Sequence, residues 1–220
     1  MSSPVIQLIV LAAIAIFLLL RLRDVLGTRE GFEKPVVTRT ADTSDTRRER
    51  FEVIEGGIDP DISDHVDPDS TAGHALMAMK VAEPSFSVGD FLTGARGAYE
   101  MILTAFENGD LAGIRPFLSN DVYEGFAAVI ETRERKGLTV ESQFAGLREL
   151  RIADATFDPA TREGEITMRF VGELTSVVRD KAGEIVEGNP KQVKRQKDVW
   201  TFARVMGSDN PNWQLVATGE

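Results

Sequence analysis

Hydrophobic positions along the chain fall into three successive patterns, and each predicts a different kind of element. From Pro4 to Leu20 (PVIQLIVLAAIAIFLLL) the apolar residues are continuous, with Gln7 the one polar side chain. Twelve of these residues are Val, Ile, Leu or Phe, and at about −0.5 kcal/mol each they favour insertion into a bilayer by roughly 6 kcal/mol. Continued to Leu22, a helix at ~1.5 Å per residue matches the ~30 Å hydrocarbon core, so residues 4–22 read as one transmembrane helix behind a short tail, 1–3. Period 3.6 begins at Phe91 and runs through Leu92, Ala95, Tyr99, Ile102, Leu103 and Phe106. Ser87 or Asp90 is the expected N-cap, and Asn108-Gly109-Asp110 the stop. A short helical turn, 111–117, precedes a second long helix from Asp121, where Asp121 and Glu124 are spaced as in a capping box and Gly137 ends the run. From Leu138 the period is two, clearest where Ile166, Met168 and Phe170 alternate with Glu165, Thr167 and Arg169. Strands are expected near 139–157, 162–178, 192–206 and 212–218, with turns at Asp158-Pro159, Asp180–Gly183 and Gly207–Pro211. Helices followed by antiparallel strands give an α+β domain, its helices covering one face of the sheet.

The flanks orient the span. No Lys or Arg precedes it, whereas Arg21, Arg23, Arg29 and Lys34 follow. The expected topology is single-pass, with the N-terminus outside and the domain cytoplasmic, or in the matrix in an organelle. A cleaved signal peptide needs a basic n-region and a small-residue cleavage site, neither of which is present. Residues 23–34 form a juxtamembrane collar, read as an interfacial helix end or a docking collar for a membrane partner. Residues 35–85 read as an acidic flexible linker, lacking aromatics between Phe51 and Phe86. Two apolar islands interrupt it, Arg50–Ile54 and Gly73–Val81. The second either folds on a partner or packs on its own domain. The globular domain is then residues 86–220.

Composition narrows the function. The formal net charge is −10 and both the linker and the domain are acidic, which argues against nucleic acid as a partner. With no cysteine, disulfides, thiol catalysis and thiolate metal sites are excluded. The acidic run Asp59–Asp69 lacks the alternating ligands, central glycine and terminal glutamate of a calcium loop, and reads as solvated linker. His65 and His74 are the only histidines and lie outside the expected domain, so neither a metal site nor a cofactor is expected. Tyr99, Tyr123 and Asp154 could serve a carboxylate-tyrosine chemistry, yet nothing in their spacing groups them, and the chain lacks a phosphate-binding glycine loop or a hydrolase elbow. No enzymatic activity is expected. Tyr99, Phe106, Met168, Phe170, Trp200, Phe202 and Trp213 are the candidates to line or plug an apolar pocket within the sheet. Lys191, Lys194, Arg195 and Lys197 form the basic cluster of the domain, either a charged strand edge or a patch for anionic lipid or an acidic partner.

Three stretches resemble a known family. They are the collar Leu22-x-x-Val25-Leu26-Gly27-x-Arg29-x-Gly31; the helix Phe91-Leu92-x-Gly94-Ala95-Arg96-x-Ala98-Tyr99 with Ala105-Phe106-x-x-Gly109-Asp110 and Leu118-Ser119-x-x-Val122-Tyr123-x-x-Phe126; and the ending Trp200-Thr-Phe202-x-Arg204 with Pro211-x-Trp213-x-Leu215. In order and spacing they are similar to the C-terminal domain of the forty-four-kilodalton subunit of the mitochondrial inner-membrane import translocase, in its alphaproteobacterial single-span form. The resemblance implies a curved antiparallel sheet packed on helices, cone-shaped like nuclear transport factor two, enclosing an apolar pocket. It implies scaffolding at a membrane. The mitochondrial family's long basic N-terminal region is replaced here by a short acidic linker, so its chaperone tethering does not transfer. The expected function is a membrane-tethered adaptor that binds a protein partner at the inner membrane, in protein translocation or membrane-protein handling. The alternative is a carrier or sensor that holds a lipid or other apolar ligand in the pocket.

Overall fold

A computed structural model describes residues 59–219, all within the compact unit Val53–Glu220. The transmembrane helix, the collar and the Arg50–Ile54 island lie outside the described residues. Among the described residues no helix is long and apolar enough to cross a membrane.

The domain starts earlier than the sequence pattern suggests. Residues from Asp59 on, expected as linker, fold into α1 (Pro60–Ser63) and α2 (Thr71–Ala82). The correction has a packing cause: Ile62, Leu76 and Met79 are fully buried in the core. A Cβ at Gly164 would lie 3.0 Å from the Met79 Sδ and Cε atoms, so the flexible methionine fills a gap left on the strand by a missing side chain. The Gly73–Val81 island therefore packs on its own domain. The acidic run is corrected with it. Asp59 caps α1 through the Asp61 N–H, and Asp61 accepts from the N–H groups of Val88 and Gly89 at 2.7 and 2.8 Å. Lys80 Nζ stands 2.7 Å from both carboxylates. Burial pushes the Asp61 carboxyl up, but Lys80 and the two backbone donors outweigh it and hold it at about 2. The same two carboxylates hold the Lys80 ammonium above its ordinary value against the opposing effect of burial.

Those two donors open α3 (Val88–Asn108), which Ser87 caps and Gly109 ends in a left-handed conformation. A 3₁₀ helix, Ala112–Phe117, leads to α4 (Asn120–Lys136). Its cap is Ser119, whose hydroxyl accepts from the Val122 N–H, and not the expected Asp121. The acidic residue sits in the first turn, where it faces the positive end of the helix dipole.

The strands follow the period-two pattern closely: β1 (Thr139–Asp158), β2 (Glu163–Arg179), β4 (Lys194–Val205) and β5 (Gln214–Gly219). A short β3 (Ile185–Gly188), absent from the expectation, pairs with the end of β2. The sheet runs β1-β2-β4-β5 with every pair antiparallel. Three register shifts in β1, after Phe144, Leu147 and Ile152, bend that strand. One face of the sheet carries Ile152, Ile166, Met168, Phe170, Trp200 and Phe202 into a core shared with α2, α3 and the 3₁₀ helix. The opposite face, bearing Glu149, Arg151, Arg169 and Thr201, is polar.

Candidate functional site

The stripe of α3 that faces the sheet is filled. Tyr99, Met168 and Phe170 are completely buried. Tyr99 stacks on Phe170 with ring centroids 4.4 Å apart and lies 4.8 Å from Trp200. This close approach to β2 depends on Gly172, because a Cβ there would fall 2.8 Å from the tyrosine oxygen. That hydroxyl donates a 2.6 Å bond to Asp198 Oδ2, and Gln196 Nε2 donates to Oδ1 at 3.2 Å. Burial, and then the neighbouring Asp198 carboxylate, push the Tyr99 hydroxyl far above its ordinary value, so it stays a proton donor. A small cavity of about 240 Å³ lies alongside, with Phe106, Glu107, Phe126, Asp198 and Trp200 in its wall. Burial pushes the Glu107 carboxyl up, while Arg133 and Lys194 pull the other way.

On the flank of α3 beside that face a groove of about 640 Å³ opens. Its helical wall is Phe91, Gly94, Ala95, Gly97, Ala98 and Met101, facing Phe117, Phe202 and the Pro211–Trp213 segment. The groove exists because this stretch of helix carries small residues. A Cβ placed on Gly94 or Gly97 meets nothing within 4 Å. Trp213 forms the opposite wall, its ring centroid 4.8 Å from Phe91 and 5.9 Å from Phe86.

One end of the groove is polar. Arg204, 9% exposed, donates from Nη2 to Glu83 Oε1 at 2.8 Å, and Glu83 Oε2 accepts from the Gly207 N–H at 2.6 Å. Burial pushes the Glu83 carboxyl up, but the Gly207 and Arg204 donors prevail and hold it below its ordinary value. The guanidinium also lies 5.3 Å from the centre of the Trp213 ring. Among the described residues its Nε finds no hydrogen-bond partner.

The seven aromatic and Met candidates thus do not line one pocket. Phe202 and Trp213 line the groove, Phe106 and Trp200 the small cavity, and Tyr99, Met168 and Phe170 fill the core between. Sequence reasoning missed Gly94, Gly97, Ala98 and Met101. Two glycines three apart on one helical face were the available signal, since they remove side chains from that face without ending the helix. The basic cluster is likewise divided. Arg195 and Lys197 stand on the polar face of the sheet, Lys194 lies on the helix side near Glu107, and Lys191 is in the loop before β4. Tyr99, Tyr123 and Asp154 do not share a site: Tyr99 is in the core, Tyr123 on α4 lies under the Arg115 guanidinium, and Asp154 is on the polar face.

Two curated relatives match. The mitochondrial import inner membrane translocase subunit TIM44-1 of Arabidopsis thaliana is 23% identical over 84% of this chain and 40% of its own length. The TIM44 subunit of Homo sapiens is 27% identical over 52% of this chain and 25% of its own. This chain therefore spans less than half the length of either relative. Among solved structures, the intermembrane space region of chloroplast protein ARC6 aligns over 47% of this chain and 72% of that chain, at a TM-score of 0.31 and 11% identity, too loose a likeness to imply a common architecture. Residues 72–220, most of the chain and nearly all of the domain described above, match the family model of the Tim44-like domain, and the chain belongs to that family.

Proposed function

We propose that this chain is a membrane-tethered adaptor whose domain holds a protein partner at the inner membrane, with apolar side chains of the partner entering the groove between α3 and Trp213. The observation that carries the reading is the groove itself: half-open, walled by Phe91, Met101, Phe117 and Trp213, with exposed helix backbone at Gly94 and Gly97. Such a surface accepts a packed side chain without rearrangement, and the Glu83 carboxylate in its wall is already held by Arg204 and the Gly207 N–H. The tether is the apolar run 4–22. Both curated relatives are import translocase subunits, and this reading assigns the chain to protein translocation or membrane-protein handling.

A second reading, a carrier of a lipid or other apolar ligand, draws on the groove volume of about 640 Å³, within the range of small-molecule sites. Photocrosslinking of the full chain in native membranes separates the two. A photoreactive p-benzoylphenylalanine in place of Met101, with Val186 on β3 as the control position, should give a reproducible protein adduct specific to the groove. Lipid adducts alone would transfer support to the carrier reading, and no adduct above the control would remove both.

A further inference from the structure

The polar face of the sheet is divided by charge along its length. Across β1, β2 and β4 the side chains on this face form rows set by the strand register. Asp158 and Glu163 share the first row and Glu165 stands in the second. The third joins Asp154 to Thr167 and Thr201, whose hydroxyls bond at 2.9 Å. Beyond this row the sign reverses. Arg151 and Arg169 are direct cross-strand partners, Lys197 follows opposite Val171, and Arg195 opposite Glu173. Arg148, from a bulge of β1, joins Arg195 on Glu173 at 2.9 and 3.2 Å.

The basic half does not neutralise itself. Its five cations share two carboxylates, Glu149 and Glu173. Glu173 serves its two arginines from below: it is 27% exposed, whereas Arg148 and Arg195 are 61% and 63% exposed. The arginines engage through Nε, so the outer edges of their guanidiniums face solvent. Two arginines directly opposite in a ladder repel, an arrangement that an acidic surface above them relieves. Anionic lipid fits this face poorly, because a membrane plane laid on it would also meet Asp154, Glu163 and Glu165.

We infer that this face binds a second copy of the chain, sheet to sheet, about a two-fold axis that crosses the strands between the Thr167 and Arg169 rows. Rotation about that axis reverses strand direction, so the basic half of each copy covers the acidic half of the other. It sets Arg151 over Asp154, Lys197 near Glu165, and Arg195 and Arg148 near Glu163 and Asp158 of the second copy. A two-fold interface must be self-complementary in this way, and the row order meets that requirement without any change of register. The helix side, with its groove, stays open, so pairing and groove binding are compatible.

The absence of cysteine makes the test direct. Thr201→Cys in the full chain, in native membranes, places one thiol beside the axis, within reach of a short bis-maleimide across sheets about 10 Å apart. The expected result is a dimer band that weakens as salt is raised, at least fivefold stronger than from a thiol at Glu100→Cys on the helix side. Reversing the basic half (Arg151→Glu with Arg195→Glu) or the acidic half (Asp154→Lys with Glu163→Lys) should lower the yield at least fivefold in either variant alone. Co-expressing the two reversed chains should restore it, as mixed dimers, because each reversed pair then faces its opposite charge on the other chain. Restoration also shows that both variants fold. Absence of the band in the parent Thr201→Cys chain, a band unchanged by either reversal, or failure of the mixed pair to recover it would each overturn the inference, and the first would leave the basic half to an acidic peptide of another protein.

Discussion

Two neighbouring stripes of α3 are built on opposite principles. Around Tyr99 every aromatic ring has a neighbour, and the one buried carboxylate, Asp198, has two donors. Around Gly97, two residues away and on another side of the helix, the helix lacks side chains and the space is empty. Large residues close the first region and small ones open the second. In this fold a cavity is therefore located by what is missing from a helix face, and aromatic residues mark where the interior is already full.

Substitutions beside the two stripes should separate them sharply. Phe170→Ala on the filled side should cost about 3–5 kcal/mol, read as a lower urea midpoint, whereas Met101→Ala on the open side should shift stability by less than about 0.5 kcal/mol. Equal losses would mean that the groove is part of the core. Tyr99→Phe keeps the ring but leaves the buried Asp198 carboxylate without its shortest bond. A loss of about 1.5–3 kcal/mol is expected by urea unfolding, and a neutral result would show that Gln196 alone satisfies it.

Acid should act first where α3 begins. The Asp61 carboxyl is held at about 2, below its ordinary value of 3.8. Its contribution is thus fully present above the unfolded value and is lost as pH falls from about 4 through 2, amounting to roughly 2 kcal/mol. Unfolding measured from pH 6 to pH 2 should show this loss, and Asp61→Asn should flatten that part of the profile. The smallest effect has the opposite sign. Gly97→Ala adds a methyl to open space in a helix and should raise stability by about 0.5–1 kcal/mol, seen as a higher melting temperature. Gly97→Leu should keep the fold and abolish photocrosslinking from position 101.

Much of the fold was legible because its signals are local. Period two in β2 and β4, the glycine stops at Gly109 and Gly137 and the serine cap at Ser87 each act within a few residues. What escaped depends on distant partners. Leu76 and Met79 look like an isolated island until β2 offers Gly164, and Asp61 looks solvated until the α3 N-terminus and Lys80 surround it. The site was legible only in part for the same reason. Trp213 and Phe202 announce burial, but only the empty space over Gly94 and Gly97 assigns them to a groove wall. The division of the basic cluster follows strand alternation, which sends Lys194 and Arg195 to opposite faces of β4.

The knot of Asp61, Lys80 and the first N–H groups of α3 also has a mechanical meaning. Any pull on the chain ahead of Asp59 enters the domain at α1, which has a single turn of its own to resist it. The load passes from the Asp61 carboxylate into the backbone of Val88 and Gly89, and so into the helix that forms one wall of the groove. Asp61, with the Asp59–Lys80 ion pair and the buried Ile62 beside it, thus fastens the leading edge of the domain to that helix.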